Sequence, residues 1–327
     1  MPILLTENDV RAVLSMDDLI AAMEQALAQY SGGGARQPLR SVFEVGTEQH
    51  AFHGVMPAFI ERPPSLGTKI VTVYASNIAR GLPSHLATIV LLDPETGALL
   101  AIMDGRYITE ARTAAASAAS AKHLARSDAR VLAVIGSGVQ AHSHIEALVR
   151  VRPIEEVRIW GRTPAHVETL VAQLEPHVDA TLIASSSVEN AVQGADVIAL
   201  VTASRDPVLR REWVRSGAHI CAVGACRPDQ REMDTALVRE SVVFADSRIG
   251  ALAEAGDIVI PISEGAITDR HVVAELGDVI AGTAAGRPSP EAITIYKSLG
   301  MAVEDVAAAR LAWERARDRG IGREFEL

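Results

Sequence analysis

Cysteine is nearly absent. Cys221 and Cys226 are the two in 327 residues, too few for a disulfide framework and not in a CxxC spacing, so a reducing compartment is the simplest expectation. Cations are outnumbered, 31 Lys and Arg against 41 Asp and Glu, for a net charge of -10. Non-specific nucleic-acid binding needs clustered cations against phosphates and is therefore not expected. Small anionic ligands stay open, because a few local cations outweigh a diffuse negative field. No stretch approaches the ~20 apolar residues of a membrane span. The opening MPILLTENDV carries acids where a signal peptide has a basic start and a longer apolar run. A cytoplasmic protein with neither a membrane nor a nucleic-acid partner is expected. Internal repeats and low-complexity linkers are also missing. Hydrophobic residues at 48% and charged residues at 22% leave no reason to expect extended disorder. A chain of 327 residues exceeds the roughly 250 to 300 at which single cores stop growing, so two domains are expected.

The pattern along the chain has two textures. A helix over Met16 to Tyr30 ends in the loop SGGGA, and strand-like segments SVFEV, TKIVTVYA and HLATIVLLD follow, separated by turns such as RGLPS and DPETG. An Ala-rich helix is predicted from near Thr109 to before Asp128. Short apolar strands then alternate with helical segments from VLAVIG to VVFAD, the pattern of βαβ units and a parallel sheet. A last helix is predicted from Glu291 to about Ala316, packing back on the first module. The fold class expected is α/β, a Rossmann-type doubly wound parallel sheet (122–290) inserted between two segments (1–121 and 291–327) of an α+β domain.

The strand VLAVIG runs into Gly136-Ser137-Gly138-Val139-Gln140-Ala141, a GxGxxA loop opening a helix. Gly136 permits the tight turn, Gly138 lets backbone approach a pyrophosphate, and Ala141 keeps helix and sheet close. The helix N-terminus, with Val139 and Gln140 in its first turn, offers unpaired N–H groups to phosphate. The bland alternative is a glycine turn in a nucleotide-free α/β protein. The next strand ends VRIWGRTP, where a dinucleotide strand that reads ribose usually has an acid. Gly161 removes the acid that would repel a 2′-phosphate, and Arg162 and Thr163 can receive one, so NADP(H) is expected, with NAD(H) as second choice. Arg162 could instead be a surface residue at a turn. Thr202 and Val223 close two later strands and are candidates to line the cofactor, or are ordinary loop packing. In the first module Arg40, Lys69 and Arg112 stand among strands and apolar neighbours. A buried ammonium there is costly unless it meets an anion, either a substrate group or an internal acid. No residue pattern suggests a metal site.

The blocks GVMPAF, LPSHLATIVLLDPETGALLAIMDG, TEARTAAASA, GSGVQAHSH, VRIWGRT, VGACRPDQREMD and YKSLGMAVED resemble, in order and over nearly the whole chain, the ornithine cyclodeaminase/mu-crystallin family. The match leans to its ketimine reductase branch. The resemblance implies a substrate-binding and dimerisation domain, so a homodimer, around the Rossmann insert. It implies that Arg40, Lys69 and Arg112 hold a substrate carboxylate. It also implies that Ser84, His85 and Arg112 lie near the cofactor's phosphates and nicotinamide, and Ser298 near the nicotinamide or substrate. Cyclodeaminases of the family are expected to carry an Asp two residues after Gly224, where this chain has Cys226; Asp229 is out of register. A thiol is a poor substitute for a carboxylate base at neutral pH. The expected activity is therefore NADPH-dependent reduction of a cyclic imino acid, first Δ1-pyrroline-2-carboxylate to L-proline, with the piperideine homologue giving L-pipecolate. Lys69 is the first candidate for proton donor; His53, His85 and water are others. The alternatives are an ornithine cyclodeaminase using NAD and a non-catalytic NADPH-dependent binding protein.

Overall fold

The computed structural model describes residues 1–46 and 51–326. The chain divides into two compact units, Met1–Arg112 with Met301–Leu327, and Thr113–Gly300. The first unit contains β1 (Ile3–Leu5), α1 (Glu7–Val13), α2 (Met16–Ser31), β2 (Ala35–Arg36), β3 (Ser41–Val45), β4 (Ala51–Glu61), β5 (Pro64–Tyr74), β6 (His85–Leu92) and β7 (Leu99–Asp104). The division falls within α3 (Arg106–Leu124). The second unit contains β8 (Val131–Ile135), α4 (Val139–Val151), β9 (Glu156–Trp160), α5 (Pro164–Leu174), β10 (Thr181–Ala184), α6 (Val188–Val192), β11 (Val197–Leu200) and β12 (His219–Ala222). It continues with α7 (Thr235–Glu240), β13 (Val242–Ala245), α8 (Arg248–Glu254), α9 (Gly256–Ser263), β14 (Val272–Glu275), α10 (Leu276–Ile280) and β15 (Thr294–Lys297). The chain returns to the first unit through α11 (Ala302–Arg319) and β16 (Arg323–Glu324).

In the first unit, eight strands form a mostly antiparallel sheet of order β16-β1-β7-β6-β5-β4-β2, with β3 also paired to β4. Alternation fixes which side chains share a face. Lys69 pairs with Met56 and Ile89, and Val73 with His85, so these residues lie on one side of the sheet. The helix α11 packs on β4, β5, β6 and α2. Ala308, Ala309, Ala312 and Ala316 are fully buried, small side chains that allow a close approach. At Gly67 the approach admits nothing larger: a Cβ there would lie 2.8 Å from the Val90 carbonyl oxygen and 3.2 Å from Val306.

In the second unit, the sheet has the order β10-β9-β8-β11-β12-β15-β13-β14, with every neighbouring pair parallel. Chain order reverses between β8 and β11, and ligands of such sheets bind at the carboxyl ends around that switch point. Buried apolar residues pack both faces, as a parallel sheet between helices requires.

The predicted helix from Glu291 is a misreading. Thr294–Lys297 is a fully buried strand between β12 and β13, and the helix begins at Ala302. A short apolar run fits a buried parallel strand and a buried helix equally well by periodicity. Gly300, at φ +77°, then turns the chain into α11. The last strand therefore belongs to the parallel sheet, and the second unit extends to Gly300 rather than 290.

Asp246 holds the turn after β15. Its buried carboxylate accepts from the N–H groups of Ser247 (2.7 Å), Leu299 (2.6 Å) and Gly300 (2.7 Å). Asp246→Ala would leave buried donors unpaired, at a cost of about 3 kcal/mol. For a unit of this size that lowers Tm by roughly 6–12 °C. A thermal melt followed by circular dichroism checks it; an unchanged Tm contradicts it.

Candidate active site

Lys69 projects from β5 and is 2% exposed. Its Nζ lies 2.6 Å from Asp305 Oδ2 and donates to Thr109 Oγ1 at 3.4 Å. Two of its three donors thus have partners among the described residues. Arg112 donates through Nε to Asp305 Oδ1 (2.9 Å) and through Nη1 to Glu304 Oε2 (2.6 Å). Both acids are fully buried in the first turn of α11, where the helix dipole favours negative charge. Glu304 Oε2 also accepts from Met301 N, closing the helix start.

Burial drives the Lys69 ammonium down to about 8, with Asp305 opposing and Arg112 and Arg40 reinforcing. His85 is pushed to about 4, first by burial and then by Lys69 and Arg112, so its imidazole is neutral near pH 7. Burial opposes ionisation of Asp305, yet Arg112 and Lys69 hold its carboxyl below the usual range. Arg40, Lys69, His85 and Arg112 are thus one electrostatic cluster, and Ser84 adjoins it just ahead of β6. Sequence reading found these cations but missed their counter-ions, Glu304 and Asp305. His53 does not belong to the cluster. It pairs with Thr72, on the sheet face opposite Lys69, and its ring packs against Phe43 at 5.2 Å.

The dinucleotide loop in the second unit has its own geometry. Gly136 has φ +133°, and a Cβ there would lie 2.8 Å from the Val201 carbonyl oxygen. Gly138 is the N-cap of α4, and the place its Cβ would take is open space. Gly138 has no side chain with which to cap this helix start, so the first-turn N–H groups of Val139 and Gln140 can face a phosphate. Two buried polar atoms, Gln140 Oε1 and Ser298 Oγ, have no hydrogen-bond partner among the described residues. Ser298 directly follows β15, and its N–H donates to Ala222 O at the end of β12. Unmet buried polar atoms call for a partner: Gln140 Oε1 can accept from a hydroxyl or amide N–H of a dinucleotide, and the Ser298 hydroxyl can donate to or accept from its carboxamide.

At the end of β9, Gly161 is a packing requirement as well as a missing acid. A Cβ there would lie 2.8 Å from Ser137 Cβ and 2.5 Å from its Oγ. Arg162 and Thr163 are exposed. Thr163 is the N-cap of α5 but its hydroxyl makes no capping bond, which leaves it available to a ligand.

Two expected cofactor contacts are occupied otherwise. The N–H and hydroxyl of Thr202 both donate to Glu232 Oε1 at 2.7 Å. Val223 is 8% exposed and its side chain belongs to the core on one face of the sheet. The Cys226 thiol donates to Val223 O at 3.2 Å. Asp229 is exposed and paired with Arg227, so it does not replace a carboxylate at Cys226.

The chain matches the model of the ornithine cyclodeaminase/mu-crystallin family over residues 1–320. It is 43% identical over 318 residues to the ketimine reductase mu-crystallin of Mus musculus, covering 96% of this chain and 97% of that protein. It superposes on the Δ1-pyrroline-2-carboxylate reductase of Thermococcus litoralis, solved with NADH and L-proline, with a TM-score of 0.96, 38% identity, and 99% and 100% of the two chains covered. An archaeal alanine dehydrogenase dimer with bound NAD gives 0.93 at 35% identity, covering 100% and 99%. On these matches the chain belongs to the ornithine cyclodeaminase/mu-crystallin family.

Proposed function

We propose that the protein is an NADPH-dependent reductase of cyclic ketimine carboxylates, acting first on Δ1-pyrroline-2-carboxylate to give L-proline, with the piperideine homologue as a further substrate. The cation cluster around Lys69 and Arg112 carries this reading. Lys69 and Arg112 are buried side by side, and Arg40 lies near enough to press on the Lys69 ammonium, three cations that a substrate carboxylate would meet. When bound, a reduced nicotinamide supplies hydride to the imine carbon. Arg40 and Arg112 hold the carboxylate, and Lys69 gives a proton to the ring nitrogen, where the electron pair of the C=N bond comes to rest. His85, neutral at working pH, adds no charge that would compete for the anion. An ornithine cyclodeaminase is disfavoured because Cys226 occupies its acid position and Asp229 is turned to solvent.

Relatives solved with NADH or NAD make NADH the second choice of cofactor. Gly161, Arg162 and Thr163 favour NADPH. We also infer a homodimer. Phe43, Ile70 and Leu86 are exposed on the sheet face opposite Lys69, an apolar surface that a second copy would cover, and one family relative is a dimer.

Because Lys69 loses its proton as pH rises through about 8, kcat/KM for the imine should be level below that pH and fall about tenfold per unit above it. Lys69→Arg, which keeps the charge but does not release its proton in this range, should lower kcat by about 10²-fold or more with a smaller change in KM. Unchanged turnover in Lys69→Arg excludes Lys69 as proton donor.

Arg162→Ala should raise KM for NADPH about 10- to 100-fold, the loss of a charge-assisted contact, and leave KM for NADH nearly constant. Gly161→Asp should destabilise the fold unless Ser137→Gly makes room, and the double variant should then favour NADH. A single Gly161→Asp variant with wild-type Tm contradicts the packing argument. Leu86→Asp should give monomers by sedimentation, and a wild-type chain already monomeric at micromolar concentration overturns the dimer.

A further inference from the structure

Glu232 belongs to neither the cation cluster nor the glycine loop. It lies between β12 and α7, is fully buried, and makes six hydrogen bonds. Its N–H donates to Asp257 Oδ1 at 2.8 Å, and its carbonyl accepts from Val208 N (2.8 Å) and Leu209 N (2.9 Å). Its Oε1 accepts from the N–H and hydroxyl of Thr202, and its Oε2 from Gly224 N, each at 2.7 Å. Thr202 lies just beyond β11 and Gly224 just beyond β12. One carboxylate therefore clamps the carboxyl ends of two neighbouring strands. The two ends touch backbone to backbone, since a Cβ on Gly224 would lie 1.8 Å from Thr202 O.

The clamp is anchored in turn. Asp257 Oδ1 also accepts from Met233 N at 3.1 Å, and its Oδ2 accepts from Lys297 Nζ at 2.9 Å. Lys297 is the last residue of β15 and adjoins Ser298, whose hydroxyl has no hydrogen-bond partner among the described residues. A line of buried charges, Lys297, Asp257, Glu232, thus joins the ends of β15, β12 and β11. In a doubly wound sheet the two mononucleotide halves lie on either side of the switch point. Gly161 and Arg162 serve the half at β9; the clamped ends bound the other half.

We propose that Glu232 is a positioning residue for the dinucleotide, holding the ends of β11 and β12, and through Asp257 and Lys297 the end of β15, in the shape that receives the nicotinamide half. This rests on the dinucleotide assignment above. Burial and the neighbouring Asp257 push the Glu232 carboxyl up to about 7, against the pull of Lys297 and the Thr202 hydrogen bonds; Cys226 is the other titratable group acting on Lys297. A protonated carboxyl presents an O–H where three donors converge, so it gives up at least one acceptor site. The clamp is complete above neutrality and loosens below it. Cofactor affinity should therefore weaken as pH falls through about 7, while Lys69 governs a separate limb on the alkaline side.

The test is direct titration of the full-length protein with NADPH, and with NADH, from pH 6 to 8, alongside Glu232→Gln. The amide keeps an oxygen for Thr202 but sets an NH2 against the Gly224 N–H. Glu232→Gln should weaken NADPH binding about tenfold or more and flatten the pH dependence, with KM for the imine at saturating cofactor unchanged. Wild-type affinity and slope in Glu232→Gln overturn the proposal, whatever its Tm. If that variant does not fold, the wild-type titration decides, and an affinity level between pH 6 and 8 overturns it. A wild-type chain that binds neither NADPH nor NADH instead overturns the parent assignment of function.

Discussion

Everything in the first unit depends on giving a buried ammonium and a buried guanidinium their counter-ions. Lys69 and Arg112 are nearly inaccessible, and unpaired charges at such depth cost several kcal/mol each. The acids that pair with them arrive 192 and 193 residues after Arg112, in the first turn of α11. That turn comes after the whole parallel-sheet unit has been completed. The first unit therefore cannot finish its charged interior from its first 112 residues. The second segment completes the first unit because α11, packed on β4, β5, β6 and α2, carries the counter-ions in its first turn.

Much of this was legible in the sequence where the signal is local. The switch from alternation to βαβ texture marks the second unit, and the GSGVQA loop marks its first crossover. Arg40, Lys69 and Arg112 stand out by residue type among apolar strands. What sequence could not give was partnership across long separations. TIYK looks helical or extended by periodicity alone and becomes a strand because β12 and β13 leave a slot of its width. Glu304 and Asp305 look like ordinary acids of a helix start, and become counter-ions only once α11 packs on β5. Glu232 sits in a polar stretch, REMD, that resembles an exposed turn, yet it is fully buried.

The two halves of the parallel sheet's ligand edge are built in opposite ways. At β9 the edge is open, with Arg162 and Thr163 exposed and Ser137 filling the space an acid would need. Such an edge would recognise a ligand by leaving donors in reach. At β11, β12 and β15 the edge is closed by buried hydrogen bonds, and the side chain expected to touch a ligand, Thr202, has its donors directed inward. Such an edge would recognise a ligand by fixed shape. A substitution at β9 should therefore change which ligand is preferred, while one beneath β11 and β12 should change how well any ligand of that shape is held.

Two buried lysines show why neighbours, rather than burial or partner, decide a group's role. Lys69 and Lys297 are both buried and each is paired with one aspartate, at 2.6 and 2.9 Å. Burial favours the neutral form of both. Around Lys69 the further charges are Arg112 and Arg40, and its proton becomes labile near pH 8. Around Lys297 they are the acids Asp257 and Glu232, and the ammonium is held above its ordinary range despite burial. Lys297 thus keeps its proton throughout the neutral range and can act only as a fixed charge. Lys69 is protonated at neutrality but close to release, the condition a proton donor needs. With burial common to both, the two lysines part by the charges around them, arginines at Lys69 and acids at Lys297.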